Sequence, residues 1–204
     1  LYYGLLYTEH MEYVTMLSIL FLVLIMAVYV FTFPAFRAEQ VMTVFFGFFY
    51  VAVMLSYVFQ TRELADGSVV VWLIFLSSWG CDTCAYCVGM LLGKHKLAPV
   101  LSPKKSIEGA VGGVVGAALL GLLYASLFGH EMTDVANPHL ACAAACGIAA
   151  VISQIGDLAA SAIKRNHEVK DYGHLIPGHG GVLDRFDSML FTAPAIYFAL
   201  TFLK

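Results

Sequence analysis

Val14-Thr-Met-Leu-Ser-Ile-Leu-Phe-Leu-Val-Leu-Ile-Met-Ala-Val-Tyr-Val-Phe-Thr-Phe33 runs for 20 residues without one charged side chain. A bilayer-crossing helix needs about 20 mostly apolar residues, so this stretch is long enough to cross. Five further apolar stretches follow, at 41–60, 68–92, 110–128, 139–163 and 188–203, the last being the shortest. Inside lipid the backbone polar groups must satisfy one another, so these stretches read as helices. Composition agrees: of 204 residues 60% are hydrophobic and 12% are charged, with a mean hydropathy of +0.82. A soluble domain is about 25% charged. An ordinary soluble globule and a disordered chain are therefore excluded. The expectation is an all-α fold, a polytopic transmembrane helical bundle with about six spans.

The loops fix an orientation. Segment 93–109 holds Lys94, Lys96, Lys104 and Lys105; segment 129–138 holds no Lys or Arg; segment 164–187 holds Lys164, Arg165, Lys170 and Arg185. By the positive-inside rule the first and third face the cytoplasm. Propagating the alternation also puts Arg37 inside, leaving Arg62 and Lys204 outside. The net charge of −3 is too small to suggest a nucleic-acid polymer as partner. The chain is read as one membrane domain, 1–204, with its chemistry in 68–187. It starts at Leu1 rather than Met, which predicts that the natural N-terminus and any earlier spans are missing. The expected location is a bacterial inner membrane.

Charges at bilayer depth cost at least about 2.5–3.5 kcal/mol and need a reason. Asp82 lies 12 residues before Lys94, roughly 18 Å of helix. Asp157 lies nearer the cytoplasmic end of its span. Asp157, Ser161 and Lys164 are spaced i, i+4, i+7 and share one helix face. Dipole complementation and interfacial anchoring explain Lys164 and Arg165. They do not explain the carboxylate below them.

The densest chemistry is Lys170-Asp-Tyr-Gly-His-Leu-Ile-Pro-Gly-His-Gly-Gly-Val-Leu-Asp-Arg-Phe-Asp187. Successive N–H groups in a glycine-rich turn cradle phosphate oxygens. Lys164, Arg165, Lys170 and Arg185 supply cationic donors. Asp184 and Asp187 supply the hard oxygens that Mg²⁺ prefers. Together these describe a metal–polyphosphate site. A second loop, Leu101-Ser-Pro-Lys-Lys-Ser-Ile-Glu-Gly109, offers Lys104 and Lys105 to phosphates, against the plainer explanation of lipid anchoring. Ser106 is placed to cap the following helix. Cys81, Cys84 and Cys87 lie within a span without a fourth thiolate and read as small apolar residues. Gly109, Gly112, Gly113 and Gly116 read as a close helix contact.

The segment from Ser161 to Asp187 resembles the signature of the phosphatidate cytidylyltransferases (CDP-diacylglycerol synthases). Ser102-Pro-Lys-Lys-Ser-Ile-Glu-Gly109 resembles that family's upstream motif, with Ser106 where threonine is common, and Asp82-Thr-Cys-Ala-Tyr86 resembles a third patch. The match covers roughly the last 130 residues. The resemblance implies that CTP and phosphatidate give CDP-diacylglycerol and pyrophosphate in phospholipid biosynthesis. It implies Mg²⁺ held by Asp157 and Asp184, with Asp187 and Asp82 as outer ligands or as ligands to a second, monovalent cation. Lys164, Arg165, Lys170 and Arg185 are then expected on the CTP phosphates, with Ser161 beside them on the helix face. Lys104 and Lys105 are expected on phosphatidate or the triphosphate tail. His179, Gly180 and Gly181 are expected to shape the turn. A homodimer is compatible with this reading. The alternatives are a related CTP-dependent enzyme acting on another membrane lipid, and a proton- or sodium-coupled transporter.

Overall fold

The computed structural model describes residues 1–8, 11–173 and 181–203. It contains α1 (Tyr2–Tyr7), α2 (Met11–Phe31), α3 (Ala38–Arg62), α4 (Gly67–Leu92), β1 (Lys96–Ala98), β2 (Ser102–Ser106), α5 (Ile107–Phe128), α6 (Pro138–Asn166) and α7 (Leu183–Phe202). Among the described residues five helices are long and apolar enough to cross a membrane: α2, α3, α4, α5 and α6. The bundle is therefore polytopic and helical, as the composition predicts. The sixth apolar stretch forms most of α7. It has only 16 residues between 188 and 203, and α7 opens on Asp184, Arg185 and Asp187.

The chain divides into two compact units, Leu1–Ser56 and Tyr57–Lys204. In the first, Tyr2 and Leu6 of α1 are buried. The Tyr3 hydroxyl donates to the carbonyl of Ala52 at 2.9 Å, and the Phe21 and Phe48 rings meet at 4.5 Å.

The second unit holds the charged residues singled out from the sequence as candidates. Its core is built from Leu73 and Ile74 of α4, Cys142, Ala145, Cys146 and Ala149 of α6, and Met189, Ala193, Ile196 and Leu200 of α7. The cysteines behave as small apolar residues: all five are free, and Cys81, Cys142 and Cys146 are buried. The cap expected at Ser106 forms, and Asn137 supplies another. Ser106 Oγ accepts the N–H of Gly109 at 3.1 Å. Asn137 Oδ1 accepts the N–H of Leu140 at 3.3 Å, with Pro138 opening α6.

α5 lies against both α4 and α6. A methyl group built on Gly112 would stand 2.6 Å from the Val88 side chain, and one on Gly113 would stand 2.9 Å from Ala85 Cβ and 3.0 Å from the Cys81 carbonyl oxygen. Glycine is what allows this approach. Overpacking of a close seam costs about 1–3 kcal/mol, so Gly113→Val is expected to lower the thermal midpoint of the purified protein by several degrees. An unchanged midpoint would show that the seam is loose.

Two features were not anticipated. Segment 93–109, read as loop, contains an antiparallel pair of strands in which Lys96 faces Ser106 and Ala98 faces Ser102. Strands of three and five residues are too short for alternation to show. Residues Leu76–Gly80, just before Asp82, are π-helical. Such bulges recur near functional sites because they rotate the following side chains.

Candidate functional site

The second unit holds a cavity of about 550 Å³. α4 contributes Asp82, Tyr86 and Met90, and the hairpin contributes Leu97, Lys104 and Lys105. Gln154, Asp157 and Lys164 come from α6, Asp171 from the loop after it, and Asp184, Arg185 and Asp187 from the first two turns of α7. Residues more than 100 positions apart thus meet because α4, α6 and α7 share one core. Five carboxylates and four cationic side chains line the space.

The charges alternate. Lys105 forms an ion pair with Asp157 across the cavity. Burial pushes the Lys105 ammonium below the ordinary lysine range, and the Asp82 and Asp187 carboxylates oppose that shift. Lys164 Nζ lies 3.0 Å from Asp184 Oδ1 and 3.6 Å from Asp187 Oδ2, and sits 5.1 Å from the Tyr172 ring centre. Asp184 is nearly sealed, with 2% of its side chain exposed. Its Oδ2 accepts the N–H groups of Tyr172 at 2.8 Å and Gly181 at 3.0 Å. One carboxylate therefore ties together the two described ends of the loop between α6 and α7. Burial acts to raise the Asp184 carboxyl, but Lys164 and those two N–H groups outweigh it and hold the group below the ordinary carboxylate range.

Gln154 closes the cavity floor. Its amide donates to the Ala110 carbonyl at 2.9 Å and to Cys81 Sγ at 3.5 Å. Below it Cys81 Sγ donates to the Ala150 carbonyl at 3.8 Å. These contacts stitch α4, α5 and α6 together beneath the acidic groups.

Of the residues expected from sequence, Asp82, Lys104, Lys105, Asp157, Lys164, Asp184, Arg185 and Asp187 line this one cavity. Gly181 stands at its edge through Asp184. Ser161, Arg165 and Lys170 do not line it, and Arg165 and Lys170 are exposed. One helix turn separates Asp157 from Ser161, and Arg165 and Lys170 follow at and beyond the helix end. His179 and Gly180 lie outside the described residues. Sequence reasoning missed Gln154, Asp171 and Tyr172. Gln154 carried a signal: it is a polar residue inside an apolar span, three positions before Asp157 and on the same face.

Among the described residues no three His, Cys, Asp or Glu side chains form a ready cage for a metal ion. The donor set still fits Mg²⁺, which takes one or two carboxylates and completes its shell with water and substrate phosphate. Asp82 makes no hydrogen bond or salt bridge to any described residue, so its oxygens are open to the cavity.

The profile of the cytidylyltransferase family matches residues 1–203. The chain is 36% identical to a phosphatidate cytidylyltransferase of Bacillus subtilis over 89% of its own length and 66% of that protein. It is 39% identical to phosphatidate cytidylyltransferases of Staphylococcus saprophyticus and Staphylococcus aureus, over 72% of its own length and 54% of each of theirs. It thus spans between about half and two thirds of the curated relatives it matches.

Proposed function

We propose, from the premise that this chain belongs to the cytidylyltransferase family, that its cavity is where the cytidylyl group of CTP passes to phosphatidate, giving CDP-diacylglycerol and pyrophosphate. The observation that supports this most is the meeting of Asp82, Lys104, Lys105, Asp157, Asp184, Arg185 and Asp187 around one space. Each element alone has a plainer explanation. Their convergence does not.

The chemistry asks for positioning more than for a base. A phosphate oxygen of phosphatidate attacks the α-phosphorus of CTP, and the bond from that phosphorus to the bridging oxygen breaks to release pyrophosphate. The attacking group is already anionic. The difficulty is to bring two anions together and to stabilise charge on the leaving group, which fixed electrostatics does well. Lys104, Lys105 and Arg185 stand where they can hold phosphate oxygens. Lys164, placed between Asp184 and Asp187, holds those carboxylates in line instead of facing outward. Asp82 and Asp157, with Asp184 and Asp187, are the residues that would hold Mg²⁺. A bound Mg²⁺ supplies charge neutralisation on the triphosphate. The concentration of basic residues in 93–109 and 164–187 supports a cavity mouth at the cytoplasmic face, where CTP is found.

The test is direct. Purified full-length protein in lipid, given labelled CTP and phosphatidate, is expected to make a labelled lipid-soluble product with release of pyrophosphate. Solute movement without pyrophosphate would overturn the reading in favour of transport. Labelling of another lipid and not of phosphatidate would reassign the acceptor. Chelation of Mg²⁺ is expected to bring the rate to background, and activity that persists would give the carboxylates another task.

A further inference from the structure

We propose that Glu108 is a positioning residue, which from the first turn of α5 clamps the root of the β1–β2 hairpin and so sets where Lys104 and Lys105 stand over the cavity; the catalytic half of this inference rests on the reading of that cavity as a phosphate-transfer site.

The chain leaves α4 at Leu92 and turns at Gly93, whose ψ of 116° ends the helix. The next two backbone N–H groups have lost the helical ladder. Glu108 accepts both: Lys94 N–H at 3.1 Å and His95 N–H at 3.2 Å, each on Oε2. Its other oxygen lies 2.6 Å from His95 Nδ1. The His95 carbonyl in turn accepts the N–H of Ile107 at 2.9 Å. The two strands therefore begin and end at one carboxylate. Position favours that carboxylate, because the first turn of a helix attracts negative charge.

Glu108 does not line the cavity, whereas Lys104 and Lys105 do. Lys105 is the residue before the cap Ser106, and its ammonium crosses to Asp157 on α6. Any freedom at the root is passed to that ammonium over very few bonds. The clamp buries little apolar surface. His95 is 74% exposed and Glu108 26% exposed in their side chains. Loss of the clamp thus loosens the hairpin without opening the core.

The experiment uses the full protein in lipid nanodiscs. Glu108→Ala is expected to speed hydrogen exchange about tenfold or more in peptides covering residues 93–107. It is expected to raise KM for CTP or phosphatidate about tenfold while kcat stays within about threefold. Glu108→Gln keeps an acceptor oxygen and is expected to recover most of that loss. His95→Ala, on an exposed side chain, is expected to move KM the same way by about threefold. Because the clamp acts through the two lysines, Glu108→Ala added to the Lys104→Met/Lys105→Met pair is expected to cost less than about twofold beyond that pair alone. Unchanged exchange in the hairpin overturns the proposal. So does a fall in kcat at constant KM, or a full additive loss in the combined variant. If Glu108→Ala fails to fold, an unchanged KM and unchanged hairpin exchange in His95→Ala overturn it. Exchange reads the clamp without reference to turnover. A wild type that makes no lipid-linked product, beside a Glu108→Ala hairpin that is loosened, overturns the cavity's substrate assignment and leaves the clamp.

Discussion

Asp157→Asn is expected to cut CDP-diacylglycerol formation by at least about a hundredfold, about 2.7 kcal/mol of transition-state stabilisation. The substitution keeps the volume and removes the charge. Lys105 then faces an amide in a half-buried place, where its ammonium had a carboxylate. The variant leaves α6 intact, since Asp157 lies on the cavity side of a helix whose packing face is built from Ala141, Ala145, Ala149 and Ala160. Folded protein should therefore still accumulate in membranes, and detergent extraction with gel filtration checks that. Near-normal turnover in a folded Asp157→Asn protein would remove this residue from the chemistry.

Asp184→Asn is expected to lose at least as much, for a second reason. Asp184 uses both oxygens: Oδ1 faces Lys164, and Oδ2 takes the N–H groups of Tyr172 and Gly181. An asparagine offers one oxygen and one NH₂ group. In one orientation the NH₂ meets the ammonium; in the other it meets the two N–H donors. Either way a donor faces a donor, at a cost of about 1–3 kcal/mol per unsatisfied buried group. Turnover should fall about a hundredfold or more, and the peptide containing Tyr172 should exchange its amide hydrogens faster than wild type. Loss of turnover with unchanged exchange would confine Asp184 to charge alone. Neither change would show that the loop is held by something else.

The helices of the bundle were legible because their signal is long. Stretches of about 20 apolar residues have few other readings. Asp82 and Asp157 were legible because charge at bilayer depth is expensive, and Asp184 and Asp187 because they stand among glycines and cations in one short segment. Helical spacing put Ser161 on the face of Asp157 and Lys164, and the basic loop added Arg165 and Lys170; none of these three lines the cavity. Periodicity assigns a face, yet it does not say which sector of that face meets the next helix, or where a helix stops. The hairpin was illegible because its strands are short and its ties are long in sequence: Glu108 to Lys94 and His95, and Lys105 to Asp157. Asp171 and Tyr172 join the site only through the path of the loop, which brings Asp171 to the cavity and the Tyr172 N–H to Asp184, and no local spacing marks either. Gln154 was overlooked because an uncharged polar side chain stands out less than a carboxylate.

The small residues of α5 have one more consequence. Gly109, Gly113, Ala117, Gly121 and Ala125 recur every fourth position and are all buried. On a helix of 3.6 residues per turn such a row advances about 40° around the axis at each step. It starts against Ala85, passes Cys81 and Ala150 at Ala117, and reaches the Cys142 carbonyl at Gly121. α5 therefore lies against the helices bearing Asp82 and Asp157, which also touch each other through Cys81 and Ala150, with almost no side chain to compress or swing aside. These three helices meet with little slack there, and adaptation to an incoming substrate falls to the parts joined by polar ties.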